Sequence, residues 1–223
     1  MTMVTLESRL RQLAFGDVPE PGADPGHRIV GAARTDRERW LAAVALGARG
    51  HYAAAATLLE SLMRSAGVRT GRRPAVLSSL ALSALASHRR QLGGHRAAMR
   101  LDGIALARVG GLEPPPQADV PRGHGGDGWD GGDVDGVDAV GAWADAVLGL
   151  AADHLGTGRP DLARGLVARV RTVEPVLPWR SRVRANWVGA EAALVAGDAA
   201  APADRRTCAR GPRRAPRRQG RRR

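Results

Sequence analysis

The 223-residue chain has no lysine, one cysteine (Cys208), one asparagine (Asn186), one tyrosine and one phenylalanine. Each shortage excludes something. A lone cysteine rules out an intramolecular disulfide and any multi-cysteine zinc site, so redox chemistry is not expected. No apolar run approaches the ~18 residues that span a bilayer, and the opening "MTMVTLESRLRQLAFGDVPEPG" lacks a basic region, an apolar stretch and a small-residue cleavage site. A cytoplasmic protein without a membrane segment is expected. All 34 basic residues are arginine, in a chain heavy in Ala, Gly and Pro; that is the imprint of GC-rich coding, so the number of arginines is not itself a functional signal. No G-x-S-x-G, no P-loop and no G-x-G-x-x-G between strand and helix occurs, and "GDGWDGG" would repel phosphate. His27, His51, His88, His95, His124 and His154 show no i, i+4 pair beside a glutamate. Neither catalysis nor a cofactor nor a metal is expected.

What is present is helical periodicity. Apolar residues recur at helical spacing, and no stretch shows sustained strand alternation, which predicts an all-α chain. Stripes run through Trp40, Val44 and Gly47; Ala55, Leu58, Leu59 and Leu62; Val140, Trp143, Val147, Leu150, Ala151 and His154; and Leu162, Ala163, Leu166, Val167 and Val170. The cleanest, Trp179, Val183, Trp187, Ala190 and Leu194, predicts a helix that packs along that face.

The helices come in pairs around glycine: Gly50, Gly93 with Gly94, Gly158 and Gly197. Glycine ends a helix in the left-handed conformation, and a new helix begins within two or three residues, giving tight hairpins. Small or apolar residues recur at matching offsets: Ala55, Leu59 and Leu62 after Gly50; Ala163, Val167 and Val170 after Gly158. From Gly93 the same count gives Ala98, Asp102 and Ala105, a partial match. Trp40 and Trp187 each stand ten residues ahead of a turn glycine, and His51 and His95 stand together just after one. The turn-to-turn intervals are 44, 64 and 39 residues when counted through Gly94. The longest holds residues 113–136, whose proline and glycine content predicts no helix, and removing those 24 residues leaves 40.

With "GHYAAAATLLESL" placing Gly50, Tyr52, Ala55 and Leu59 on motif positions, residues 36–198 resemble the tetratricopeptide repeat, in a form akin to repeat proteins of high-GC bacteria. The usual period is about 34 residues; the spacing here is nearer 40 and no regular proline closes each repeat, so an ordinary α-bundle with glycine turns stays open. The resemblance implies a short solenoid of about four hairpins whose first helices line a groove for a peptide or partner helix. Arg39, Arg49, Ser83, Arg90 and Asn186 lie on first helices and are the candidate partner contacts. The resemblance does not extend to a full carboxylate-gripping set.

The expected organisation is a short helix near 3–14 and a Pro/Gly linker within residues 1–34, a repeat domain over 35–198 with a flexible insert at 113–136, and an arginine-rich tail over 199–223. Asp127, Asp130, Asp133, Asp135 and Asp138 in and beside the insert are spaced 3, 3, 2 and 3, without the glutamate of a calcium loop; a flexible loop with a helix cap is expected. The tail carries ten arginines and one acid, +9 of the net +12. Arg213, Arg214, Arg217 and Arg218 give it a non-specific, salt-dependent grip on nucleic-acid phosphates, the alternative function. The offsets after Gly197 fall on Pro202, Arg206 and Ala209, so the fourth hairpin lacks a second helix. A shift of reading frame near Ala199 to Ala201 would explain both features, since CGN codons read one base later encode Val, Ala, Asp, Glu or Gly; a genuine disordered tail is the alternative.

Overall fold

A computed structural model describes residues 5–15, 30–67, 70–110 and 134–198. The described residues are all-helical, with eight α-helices and no strand: α1 (Leu6–Phe15), α2 (Asp36–Ala48), α3 (Tyr52–Gly67), α4 (Arg72–Gln91), α5 (His95–Val109), α6 (Val134–Gly156), α7 (Pro160–Arg171) and α8 (Trp179–Val195). The tail, residues 199–223, lies outside the described residues, as do 113–133 of the insert and 16–29 of the linker. Helix α6 begins at Val134, so the last three residues of the segment expected to be non-helical are helical; its prolines all lie before residue 122 and break nothing there. Val30 and Ala33, within the expected linker, pack against the core.

Local chemistry fixes the ends. Thr35 Oγ1 accepts from the Glu38 amide while Glu38 Oε2 accepts from the amides of Thr35 and Arg34, a capping box that starts α2. These backbone bonds hold the Glu38 carboxyl below its ordinary value. Pro160 opens α7, where its missing N–H costs nothing. Helices α2, α4, α6 and α8 end alike: Gly50, Gly93, Gly158 and Gly197 have φ near +80°, and in each the next amide donates back to an earlier carbonyl, from His51 to Leu46, Gly94 to Arg89, Arg159 to His154 and Asp198 to Ala193. The turn glycine of the second hairpin is therefore Gly93. His95 then shares a register with Tyr52, not with His51, which corrects the grouping read from sequence.

Contacts join consecutive helices, and beyond that they join α2 to α4, α4 to α6 and α6 to α8. Three hairpins are complete among the described residues, and α8 stands as a fourth first helix. The register after Gly50, Gly93 and Gly158 sets the core: Ala55, Leu59, Leu62, Ala98, Asp102, Ala105, Ala163, Val167 and Val170 are all buried. Helix α6 is buried on every side from Gly141 to Gly149, as expected of a helix with helices packed all round it.

The last stripe departs from expectation. Helix α8 packs through Ser181, Ala185, Val188 and Ala192, whereas Trp179, Val183, Trp187 and Leu194 are exposed. Ten residues ahead of their turn glycines, Trp40, Ser83 and Leu148 are 4%, 6% and 0% exposed, and Trp187 is 68% exposed. On the earlier first helices this place is buried; on α8 the described residues end at Asp198.

Candidate functional site

Two polar clusters and one apolar face stand out. The first cluster ties α4, α5 and α6. Arg90 Nε donates to Asp153 Oδ1 at 2.8 Å, and Arg90 Nη2 donates to Asp102 Oδ2 and to the Gly149 carbonyl. Asp102 and Asp153 are fully buried. A Cβ on Gly149 would collide with the Asp102 carboxylate, so glycine is what lets that group sit against α6. One guanidinium serves two carboxylates. Burial pushes the Asp102 carboxyl up to about 7; Arg90 and then Arg184 oppose the rise, and Asp153 adds to it. The Ser83 hydroxyl beside this carboxyl opposes the rise less than the two arginines do.

The sign of that shift sets a pH dependence. With its folded pKa above the unfolded value, Asp102 contributes stability that is fully present below about pH 4 and is lost as pH rises through about 7. Asp102→Asn is expected to flatten the unfolding free energy between about pH 4 and 7, measured by urea denaturation of both chains across that range. An unchanged profile means that Asp102 is ionised throughout.

The second cluster joins α1, α2, α6 and α8. Arg180 Nη1 lies 3.0 Å from Asp145 Oδ2, and Arg184 Nη1 lies 3.4 Å from Asp145 Oδ1. The Arg180 guanidinium also stacks over Phe15 at 5.1 Å and Trp40 at 5.7 Å. Phe15 meets Trp40 at 5.9 Å, and the Trp40 indole donates to the Leu80 carbonyl. Glu7 of α1 pairs with Arg37 of α2 at 2.7 Å and with Arg11 at 2.9 Å. Leu10 is fully buried, with Leu6, Ala14 and Phe15 packed against the same core. Burial, then the like charge of Arg37, lowers the Arg11 pKa, with Arg180 adding to the effect. Helix α1 thus lies on α2 and reaches α8, in a basic surround that its Glu7 answers.

The residues expected to contact a partner do not converge. Arg39 is half-exposed on α2, 3.4 Å from Asp36; Arg49 is exposed at the end of that helix; Asn186 is half-buried on α8. Only Ser83 and Arg90 come together, around Asp102, and both are largely buried. Arg213, Arg214, Arg217 and Arg218 lie outside the described residues, as do Asp127, Asp130 and Asp133. Asp102, Asp145, Asp153, Arg180 and Arg184 carry no mark in the sequence that sets them apart as a site. The partial match at Asp102 is the available signal: a charge in a register held by Leu59 and Val167 requires a buried partner.

Among the described residues no helix is long and apolar enough to cross a membrane, and no group of three or more His, Cys, Asp or Glu is placed to hold a metal ion. Comparison with protein families, with curated proteins and with solved structures gives no match to this chain.

Proposed function

We propose that this chain is a tetratricopeptide-like protein-interaction scaffold that receives a short amphipathic helix or peptide on its row of first helices, acting by binding and not by catalysis. Three features support the repeat reading: the four like turns, the buried register shared by the residues after the first three, and the contacts of α2 with α4, α4 with α6 and α6 with α8. One observation carries the binding reading: helix α1, joined to the repeats by residues 16–35, lies on α2 and reaches Arg180 of α8 through Phe15.

The chemistry of that contact describes the ligand class. Leu6, Leu10, Ala14 and Phe15 keep an i, i+4, i+8 pattern with one adjacent residue, the pattern of a helix docked by one face. Glu7 sits between Arg11 and Arg37, and Arg180 acts on Arg11 from nearby. A partner helix that takes this place therefore carries three or four apolar residues at that spacing and an acid beside the first of them. It competes with α1. The test is binding of an α1 peptide, residues 3–16, in trans to a full chain whose own α1 is unseated by Leu10→Asp; saturable binding is expected.

A further inference from the structure

Five of the eight exposed large hydrophobic residues among those described lie on α8: Trp179, Val183, Trp187, Leu194 and Val195. A single helix with two exposed tryptophans is a contact surface, because soluble chains seldom leave such a patch in water. On the earlier first helices the residues at the place of Trp187, namely Trp40, Ser83 and Leu148, are buried. The polypeptide after Gly197 offers Pro202, Arg206 and Ala209 at the three required positions, which does not supply an apolar stripe.

We propose that α8 associates with α8 of a second copy of this chain, antiparallel across a two-fold axis near Trp187. The stripe is complementary to itself in that orientation: its midpoint falls by Trp187, so that Trp179 of one copy lies level with Leu194 and Val195 of the other, and Val183 with Ala190 and Glu191. The charges agree. Helix α8 holds its basic residues Arg180, Arg182 and Arg184 in its first half and its one acid, Glu191, in its second. Glu191 is four residues after Trp187 and Arg184 three before it. At ~100° and ~1.5 Å per residue both lie on the same flank of the stripe, and the two-fold brings them to nearly the same height. A parallel pair would put Glu191 of one copy and Arg184 of the other on opposite flanks of the seam, out of reach of one another.

At roughly 150–250 Å² per aromatic side chain, the bare stripe amounts to on the order of 500 Å² per copy. The pair then covers about 1,000 Å², the size of a specific but transient complex. The association is independent of how α1 is held, so its failure leaves the helix-binding reading untouched.

Sedimentation velocity on the full chain across a concentration series, with reductant present to exclude Cys208 disulfides, tests the pairing. A monomer–dimer equilibrium is expected. Trp187→Asp should weaken it at least ~30-fold and Glu191→Arg by ~5–10-fold, whereas Ile104→Ser, at an exposed apolar residue of α5, should leave it unchanged. Far-UV circular dichroism confirms that each variant is folded. A chain that stays monomeric at every concentration, whether α8 is bare or covered by its own tail, overturns the proposal. So does a dimer indifferent to Trp187→Asp.

Discussion

Arg90→Ala is expected to lower the unfolding free energy by about 3–5 kcal/mol, because it leaves two fully buried carboxylates without their cation. The residue itself is a long side chain with its guanidinium placed between Asp102 and Asp153, and three helices meet at that point. Removing the charge cannot be answered by water, since both acids are sealed in the core. Asp102 protonates readily from a pKa of about 7, so part of the loss is recovered at pH 5, and chemical denaturation at pH 5 and pH 8 should show a larger penalty at the higher pH. Asp102→Asn keeps the shape against Gly149 and keeps the Arg90 contact to Asp153, so its cost should be much smaller. A loss below about 1 kcal/mol for Arg90→Ala would mean that the cluster is solvated.

Trp40→Ala and Trp187→Ala remove the same side chain from the same place, ten residues ahead of a turn glycine, and their effects should differ several-fold. Trp40 is buried, donates to the Leu80 carbonyl, and packs with Phe15 beneath Arg180. Its truncation leaves a cavity at the junction of α1, α2 and α4, with an expected cost of about 3–5 kcal/mol. Trp187 projects from α8 with its indole donating to Glu191 of the same helix. Its truncation should change monomer stability by less than ~0.5 kcal/mol. Thermal or urea unfolding of the two variants, at a concentration low enough to avoid association, measures both. Equal costs would show that the face of α8 is covered in the same way as that of α2.

This pair also marks how far the sequence could be read. Periodicity gave the helices, and the glycine offsets gave the turns and nine buried positions, because a left-handed cap and an amphipathic face are local, recurring requirements. Periodicity also marked the stripe at Trp179, Val183, Trp187 and Leu194 as the packing face of α8, and there it failed. An apolar stripe says that a face wants cover; whether cover is present depends on the next element along the chain. The chain did signal the gap, since the offsets after Gly197 fall on Pro202 and Arg206. The small-residue face that does pack, Ser181, Ala185, Val188 and Ala192, is nearly silent in hydropathy. It works through small side chains that let α8 lie against its neighbours.

The polar clusters were the least legible. Arg90 pairs with residues 12 and 63 positions away, and Arg180 meets Phe15 from the far end of the sequence. No spacing rule connects such pairs. In a chain whose basic residues are all arginine, nothing distinguishes a buried arginine from a solvated one until a facing carboxylate is found. The seating of α1 was likewise invisible, because its stripe matches that of any amphipathic helix.

The helix-binding reading is tested most directly by fluorescence anisotropy, titrating the full Leu10→Asp chain into a labelled peptide of residues 3–16. Saturable one-to-one binding is expected, weakened at least ~10-fold by Glu7→Arg in the peptide and recovered when the protein also carries Arg37→Glu. The unmodified chain, with its own α1 in place, should bind the peptide far less. A folded Leu10→Asp chain that ignores the peptide, or binds it equally with Glu7→Arg and with no recovery, would contradict the account.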